Sequence, residues 1–157
     1  MDFELNEEQK MFQTMVRDFV DNEIVPHAAE WDETHEYPYD VIKKMAELGL
    51  CGLRLPEEYG GSGDDITFTI ANEEIARGSA GLSSAYITTV SLAMTPIVMH
   101  GNEDQKSKYI PRVANEGATV SFALTESMAG SDVSALDTRY AREGDYFIPN
   151  GTKTFIT

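Results

Sequence analysis

The chain has 157 residues, enough for one domain or for one domain and part of a second. Hydrophobic residues make up 41% and aromatics 10%, which supports a packed core and excludes a disordered polymer. With 27 acidic and 12 basic residues the formal charge is −15, which argues against a basic nucleic-acid face and against docking on anionic lipid.

The predicted elements begin with a helix over about residues 6–24. Met11, Phe12, Met15, Val16, Phe19 and Val20 recur there at helical spacing, and Pro26 follows as a stop. The preceding Met1-Asp2-Phe3-Glu4 has neither a basic n-region nor an apolar h-region, so no signal peptide is expected. A second helix starts near Pro38, carries Val41, Ile42, Met45 and Leu48, and ends at Gly49. Cys51 follows in the run Leu50-Cys51-Gly52-Leu53 and reads as a small core residue. As the sole cysteine it allows no intramolecular disulfide, so a reducing, cytoplasmic location is expected. Residues 55–63 read as a loop, and Asp64 or Asp65 caps a third helix running to about Arg77.

Leu82 to Met99 is small or apolar all round and uncharged, so a helix there is buried or lines a cavity. Pro96 kinks it or marks its last turns. No apolar run of about 18 residues is read in the chain, so no membrane span is expected. Asn102 with Gln105 reads as a capping box for a fifth helix bearing Tyr109, Ile110 and Val113. After Gly117 the pattern changes. Residues 119–124 are a strand candidate, 137–142 and 146–149 alternate around Glu143-Gly144-Asp145 as a hairpin, and Asn150-Gly151 signals a type I′ turn before the strand-like 152–157. The fold class is therefore α+β: an all-α helical domain over 1–118, then the first strands of a β-barrel-like domain over 119–157. A few strands with free edges make a poor domain. The chain is expected to be a fragment, or to be completed by another polypeptide.

The most specific stretch for chemistry is Phe122-Ala123-Leu124-Thr125-Glu126-Ser127-Met128-Ala129-Gly130-Ser131-Asp132. A strand running into a glycine-containing turn lets a ligand approach the backbone, and Gly130 can adopt positive φ. Successive N–H groups there, with the Ser131 hydroxyl, can bind an anion. An ordinary strand exit with Asp132 in an Asx turn fits the same residues. His27, His35 and His100 lack ligand spacing, so no metal is expected. Trp31 reads as an amphipathic surface anchor, and Glu57-Glu58 as solvated loop charges.

Thr125-Glu126-x-x-Ala129-Gly130-Ser131-Asp132, followed by Asn150-Gly151-x-Lys153-x-Phe155-Ile156-Thr157, resembles the central region of acyl-CoA dehydrogenases. Pro56-Glu57-Glu58-Tyr59-Gly60-Gly61 and Gly101-Asn102-Glu103-Asp104-Gln105-Lys106 resemble that family's helical domain in order and spacing, so the resemblance covers essentially the whole chain. It implies a fold of α domain, β domain and C-terminal four-helix bundle, usually a homotetramer, with FAD between the last two. It implies that Phe122 and Leu124 meet the flavin ring, that Thr125 bonds its polar edge, and that Gly130 and Ser131 contact the pyrophosphate. Ser131 is also implied to touch the CoA moiety. Phe155 matches the aromatic packed on the flavin face away from substrate, commonly Trp in the family, and Thr157 the residue near the reactive nitrogen. Ala85, Thr88, Thr89 and Leu92 share one face of the apolar helix by spacing. That face is read either as an acyl-cavity wall or as plain packing.

The implied reaction is oxidation of an acyl-CoA thioester to trans-2-enoyl-CoA, a carboxylate taking the α-proton while hydride leaves the β-carbon. Electrons pass to an electron-transferring flavoprotein. The base belongs to the C-terminal bundle, so no catalytic residue is assigned in this chain. Ser127-Met128 stand where the family often has Pro-Gly, which puts the turn's rigidity in question. Two other readings stay open: a non-catalytic helical partner or interaction module, and an acyl-CoA oxidase or flavin monooxygenase of the same fold.

Overall fold

The computed structural model describes residues 4–62 and 64–157. The leader reading of Met1–Phe3 and the Gly63 end of the 55–63 loop lie outside that range. The chain divides into two compact units, one up to Val120 and one of Ser121–Thr157.

The first unit is helical. Helix α1, Glu7–Glu23, opens with a capping box: the Asn6 side chain accepts from Gln9 N at 2.8 Å and the Gln9 side chain from Asn6 N at 3.0 Å. Val16 and Val20, with Ile24 just beyond the helix, are fully buried on one stripe. Helix α2, Ala28–Thr34, was not expected from the sequence. None of its residues is buried, so it carries no apolar periodicity, and it stops where His35 takes φ 57°. Trp31 on it is half-buried and packs against the core, with His27 5.8 Å from its ring. Helix α3, Tyr39–Glu47, follows Pro38 and ends before Gly49, whose φ of 77° supplies the left-handed stop.

Two short 3-10 turns, Leu50–Gly52 and Glu57–Tyr59, lead to α4, Asp65–Gly78. Asp64 is the cap, accepting from Ile66 N at 2.9 Å. Between them Gly61 runs against the backbone of the first turn. A β-carbon there would fall on the Leu55 carbonyl and 2.7 Å from Gly52 O, so only glycine fits.

The apolar stretch is one helical run but not one α-helix. Helix α5, Ala80–Ile87, gives way to a π-helical turn, Thr88–Ala93, and then to α6, Thr95–His100. Pro96 lies in the first turn of α6. It has no N–H for the Leu92 carbonyl, which is a physical reason for the wider turn before it. Contrary to the sequence expectation, Ala80–His100 is long and apolar enough to cross a membrane, at 21 residues and mean hydropathy 1.4. Its Leu82, Tyr86, Val90 and Met94 are buried in the unit's single core with α1, α3, α4 and α7, which is how a core helix is used. Helix α7, Glu103–Glu116, has the expected box between Asn102 and Gln105.

One charge sits deep in this unit. Glu74 on α4 is 2% exposed. Arg17 of α1 and Arg77 each donate to it, and Arg77 also reaches Asp21 at 2.7 Å. Arg17 first and then Arg77 hold its carboxyl below the usual range, against the opposing effect of burial.

The second unit holds one antiparallel hairpin, β1 (Arg139–Glu143) with β2 (Tyr146–Asn150), Glu143 opposite Tyr146 around Gly144-Asp145. Two other strand expectations fail. Residues 119–124 and 152–157 form no ladder, because among the described residues no strand pairs with them. Neither Asn150 nor Gly151 has positive φ, so the type I′ turn is absent. Gly151 instead lies against the Thr138 backbone, where a β-carbon would come 2.8 Å from Thr138 Cα.

Candidate functional site

The Phe122–Asp132 stretch folds as a closed turn and an open loop. Glu126 N donates to Ala129 O at 2.9 Å and Ala129 N to Glu126 O at 3.2 Å, so 126–129 is a tight turn with reciprocal backbone bonds. Ser127 and Met128 at its tip are exposed, Met128 by 84%. The turn, which contains no proline, is held by this pairing and by the Glu126 side chain.

That side chain is 8% exposed and fully engaged. It accepts from Asp137 N at 2.7 Å, Thr138 N at 3.0 Å and Lys153 Nζ at 2.8 Å. Lys153 Nζ also donates to Leu124 O at 2.8 Å. Lys153 foremost, with Thr138 and Asp137, pushes the Glu126 carboxyl down to about 2. Thr154 N donates to Thr125 O at 2.9 Å. The sequence alone marks neither Glu126 nor Lys153 for a role. They stand 27 residues apart, and no local pattern pairs them.

Past the turn the loop is open. Gly130 and Ser131 are exposed, and a β-carbon on Gly130 would meet nothing within 4 Å. Gly130 does not take the positive φ open to it, so no backbone strain in this chain calls for glycine. Among the described residues the Gly130 and Ser131 amides and the Ser131 hydroxyl make no hydrogen bond, leaving three donors free. Asp132 forms the Asx turn, accepting from Ser134 N at 3.1 Å and from its hydroxyl. Its carboxylate is thereby held downstream of those donors.

Phe122, Leu124 and Thr125 are half-buried, and Thr157 is exposed. Phe155 is 91% exposed and has φ 55°. A bulky residue in that region is an outlier, and the strain has no packing contact in this unit to offset it. Free donors beside a glycine with open space, and a strained bare aromatic, are features that fit a bound dinucleotide with a flat ring system.

In the helical unit the four wall candidates separate at the π turn. Ala85 and Thr89 are buried, Thr88 is half-buried and Leu92 is 51% exposed. Ala85 and Thr89 border a small cavity of about 10 Å³ with Tyr37, Cys51, Tyr86 and Thr119. That holds one water at most, not an acyl chain. The Thr89 hydroxyl donates to Val120 O at 3.2 Å and accepts from Val120 N at 3.5 Å. Thr88 and Leu92 are the two left accessible. Cys51 beside the cavity is buried, and burial pushes its thiol up to about 12, so it is no nucleophile.

Residues 6–117 match the family model described as "Acyl-CoA dehydrogenase, N-terminal domain". The chain is 46% identical over its whole length to "Probable acyl-CoA dehydrogenase YngJ" of Bacillus subtilis, covering 42% of it. It is 43% identical over 96% of its length to "3-(aryl)acrylate reductase" of Clostridium sporogenes, covering 40% of that protein. Among solved structures it superposes at TM-score 0.92 and 41% identity on a chain of "Electron transferring flavoprotein of Acidaminococcus fermentans: Towards a mechanism of flavin-based electron bifurcation", with 99% of this chain and 41% of that one covered. On "Acyl-CoA Dehydrogenase complexed with FAD from Bacillus anthracis" the TM-score is 0.90 at 34% identity, with 98% and 27% covered. The chain thus spans about two-fifths of the length of these curated relatives.

Proposed function

The chain belongs to the acyl-CoA dehydrogenase family, and on that premise we propose that it is the N-terminal part of an FAD-dependent enzyme converting an acyl-CoA thioester to the trans-2-enoyl-CoA, with electrons passed to an electron-transferring flavoprotein. The observation that carries the cofactor assignment is the open Gly130-Ser131 loop, with its free amides and hydroxyl and no structural demand for glycine. Those donors hold the pyrophosphate, and Ser131 also reaches the CoA moiety. Leu124 and Phe122 flank the ring, and Thr125 bonds its polar edge. Phe155, bare and strained here, packs on the ring's far face, and Thr157 lies toward the reacting side. When bound, FAD supplies the two-electron acceptor. Thr88 and Leu92 face the acyl chain, with Ala85 and Thr89 backing them. No residue of this chain serves as base; a carboxylate beyond Thr157 takes the α-proton, made acidic by the thioester carbonyl.

The test is the complete protein assayed with straight, branched and aromatic acyl-CoAs. Enoyl-CoA formation and one FAD per chain are expected. Stoichiometric FAD with no enoyl-CoA from any thioester would reject the reaction. A second reading is favoured by the 43% identity to a protein named as an acrylate reductase: the same site run toward saturation. Product analysis starting from the enoyl thioester separates the two directions.

A further inference from the structure

Glu126 and Lys153 tie together stretches that the sequence keeps apart. Lys153 Nζ bonds both Leu124 O and the Glu126 carboxylate at 2.8 Å, while Thr154 N bonds Thr125 O at 2.9 Å. Residues 124–126 and 153–154 are thus held side by side by one ion pair and two further bonds. Leu124 and Thr125 lie on one stretch and Phe155 directly follows the other. These are three of the residues assigned above to the cofactor, and the ion pair joins the two stretches that carry them.

We propose that Glu126 and Lys153 are positioning residues of the cofactor site, an ionic clamp that sets the Leu124-Thr125 edge against Phe155 and thereby governs FAD affinity and the environment of the flavin ring. This rests on the flavoprotein reading. The clamp acts through backbone: Lys153 fixes the Leu124 carbonyl, and Glu126 fixes the amides of Asp137 and Thr138 together with the turn it begins. With Ser127-Met128 at the tip the turn has no ring-locked φ, so its geometry depends on these bonds. The carboxyl, pushed down to about 2, stays ionised across all working pH. Low exposure makes the pair sensitive, because removing one partner strands the other's charge.

The experiment titrates the complete apoprotein with FAD and records Kd and the visible circular dichroism of the bound flavin. Lys153→Met is expected to raise Kd at least about tenfold and to change the dichroism, while Lys153→Arg, which keeps the charge, stays within about threefold of wild type. Because Lys153→Met leaves a carboxylate unpaired, Glu126→Gln/Lys153→Met is run beside it. Gln keeps one acceptor oxygen, where Glu126 offers one to each of the two backbone amides, and leaves no stranded charge. A double variant that melts like wild type yet binds FAD weakly with altered dichroism supports positioning. One that melts like wild type and binds with wild-type Kd and dichroism overturns the clamp. So does a Lys153→Met protein that loses only thermal stability. If wild type itself takes up no FAD, the flavoprotein reading falls, and the clamp with it.

Discussion

Gly78→Ala tests whether the α1–α4 contact is set by backbone proximity. Gly78 closes α4 and does not have positive φ, so alanine there meets no backbone strain. A β-carbon would lie 2.6 Å from Val20 Cγ1 and 3.1 Å from Ile24 Cγ2, and both partners are fully buried. Carbon pairs rest at about 3.5–4.0 Å, so the helices must part or Val20 must leave its rotamer. Overpacking of this kind costs about 1–3 kcal/mol. Alanine recovers less than about 1 kcal/mol of helix propensity, since the site is the last residue of the helix. The net is a loss of roughly 1–2 kcal/mol, or about 2–8 °C in Tm. Thermal unfolding followed by helical circular dichroism measures it. Val20→Ala removes the offending methyl groups, so on that background Gly78→Ala should cost about 1 kcal/mol less. A raised Tm for the single variant, or strict additivity of the pair, would refute the steric argument.

Tyr86→Phe removes a buried bond from the Tyr86 hydroxyl to Leu50 O at 2.7 Å; a loss of about 1 kcal/mol is expected in denaturant titration. Cys51, pushed up to about 12 by burial, should react with a thiol reagent at pH 8 only as fast as the helical unit opens. Reaction at the rate of a free thiol would contradict that. For Glu126 the folded carboxyl is depressed to about 2, so its contribution to stability is present above the unfolded value and is lost as pH falls from about 4 through 2. Carbon-detected NMR should place its titration midpoint near 2, and a midpoint near 4 would mean the clamp is open in solution. In the complete protein, Ser131→Ala should weaken FAD binding by roughly one to two orders of magnitude, as loss of a charge-assisted bond of about 1.5–3 kcal/mol. Ser131→Asp should weaken it further, and wild-type affinity in both variants would remove Ser131 from the phosphate site.

Local chemistry wrote much of this protein into its sequence. The Asn102–Gln105 box, the Asp64 cap and the Gly49 stop each depend on residues within one turn, and each is in place. The buried stripe of α1 was legible for the same reason, as was the hairpin around Gly144-Asp145. Helix α2 was not, because it buries no residue and so has no periodicity to read. Strands at 119–124 and 152–157 were foreseen from composition, but a strand exists only with a partner, and here the two stretches meet through Thr125, Thr154 and Lys153 instead of a ladder. The π turn goes with Pro96 withholding a donor within the helical run, and of the four residues that α-helical spacing puts on one face, Ala85 and Thr89 are buried while Leu92 is exposed. The motif residues Gly130, Ser131 and Phe155 stood out in the chain. That Gly130 faces open space, that Phe155 is bare and left-handed, and that Glu126 finds Lys153 across 27 residues are long-range outcomes. Only the folded backbone brings such groups together, because the free energy that selects these contacts is gained by pairing distant charges and donors, not by any local preference.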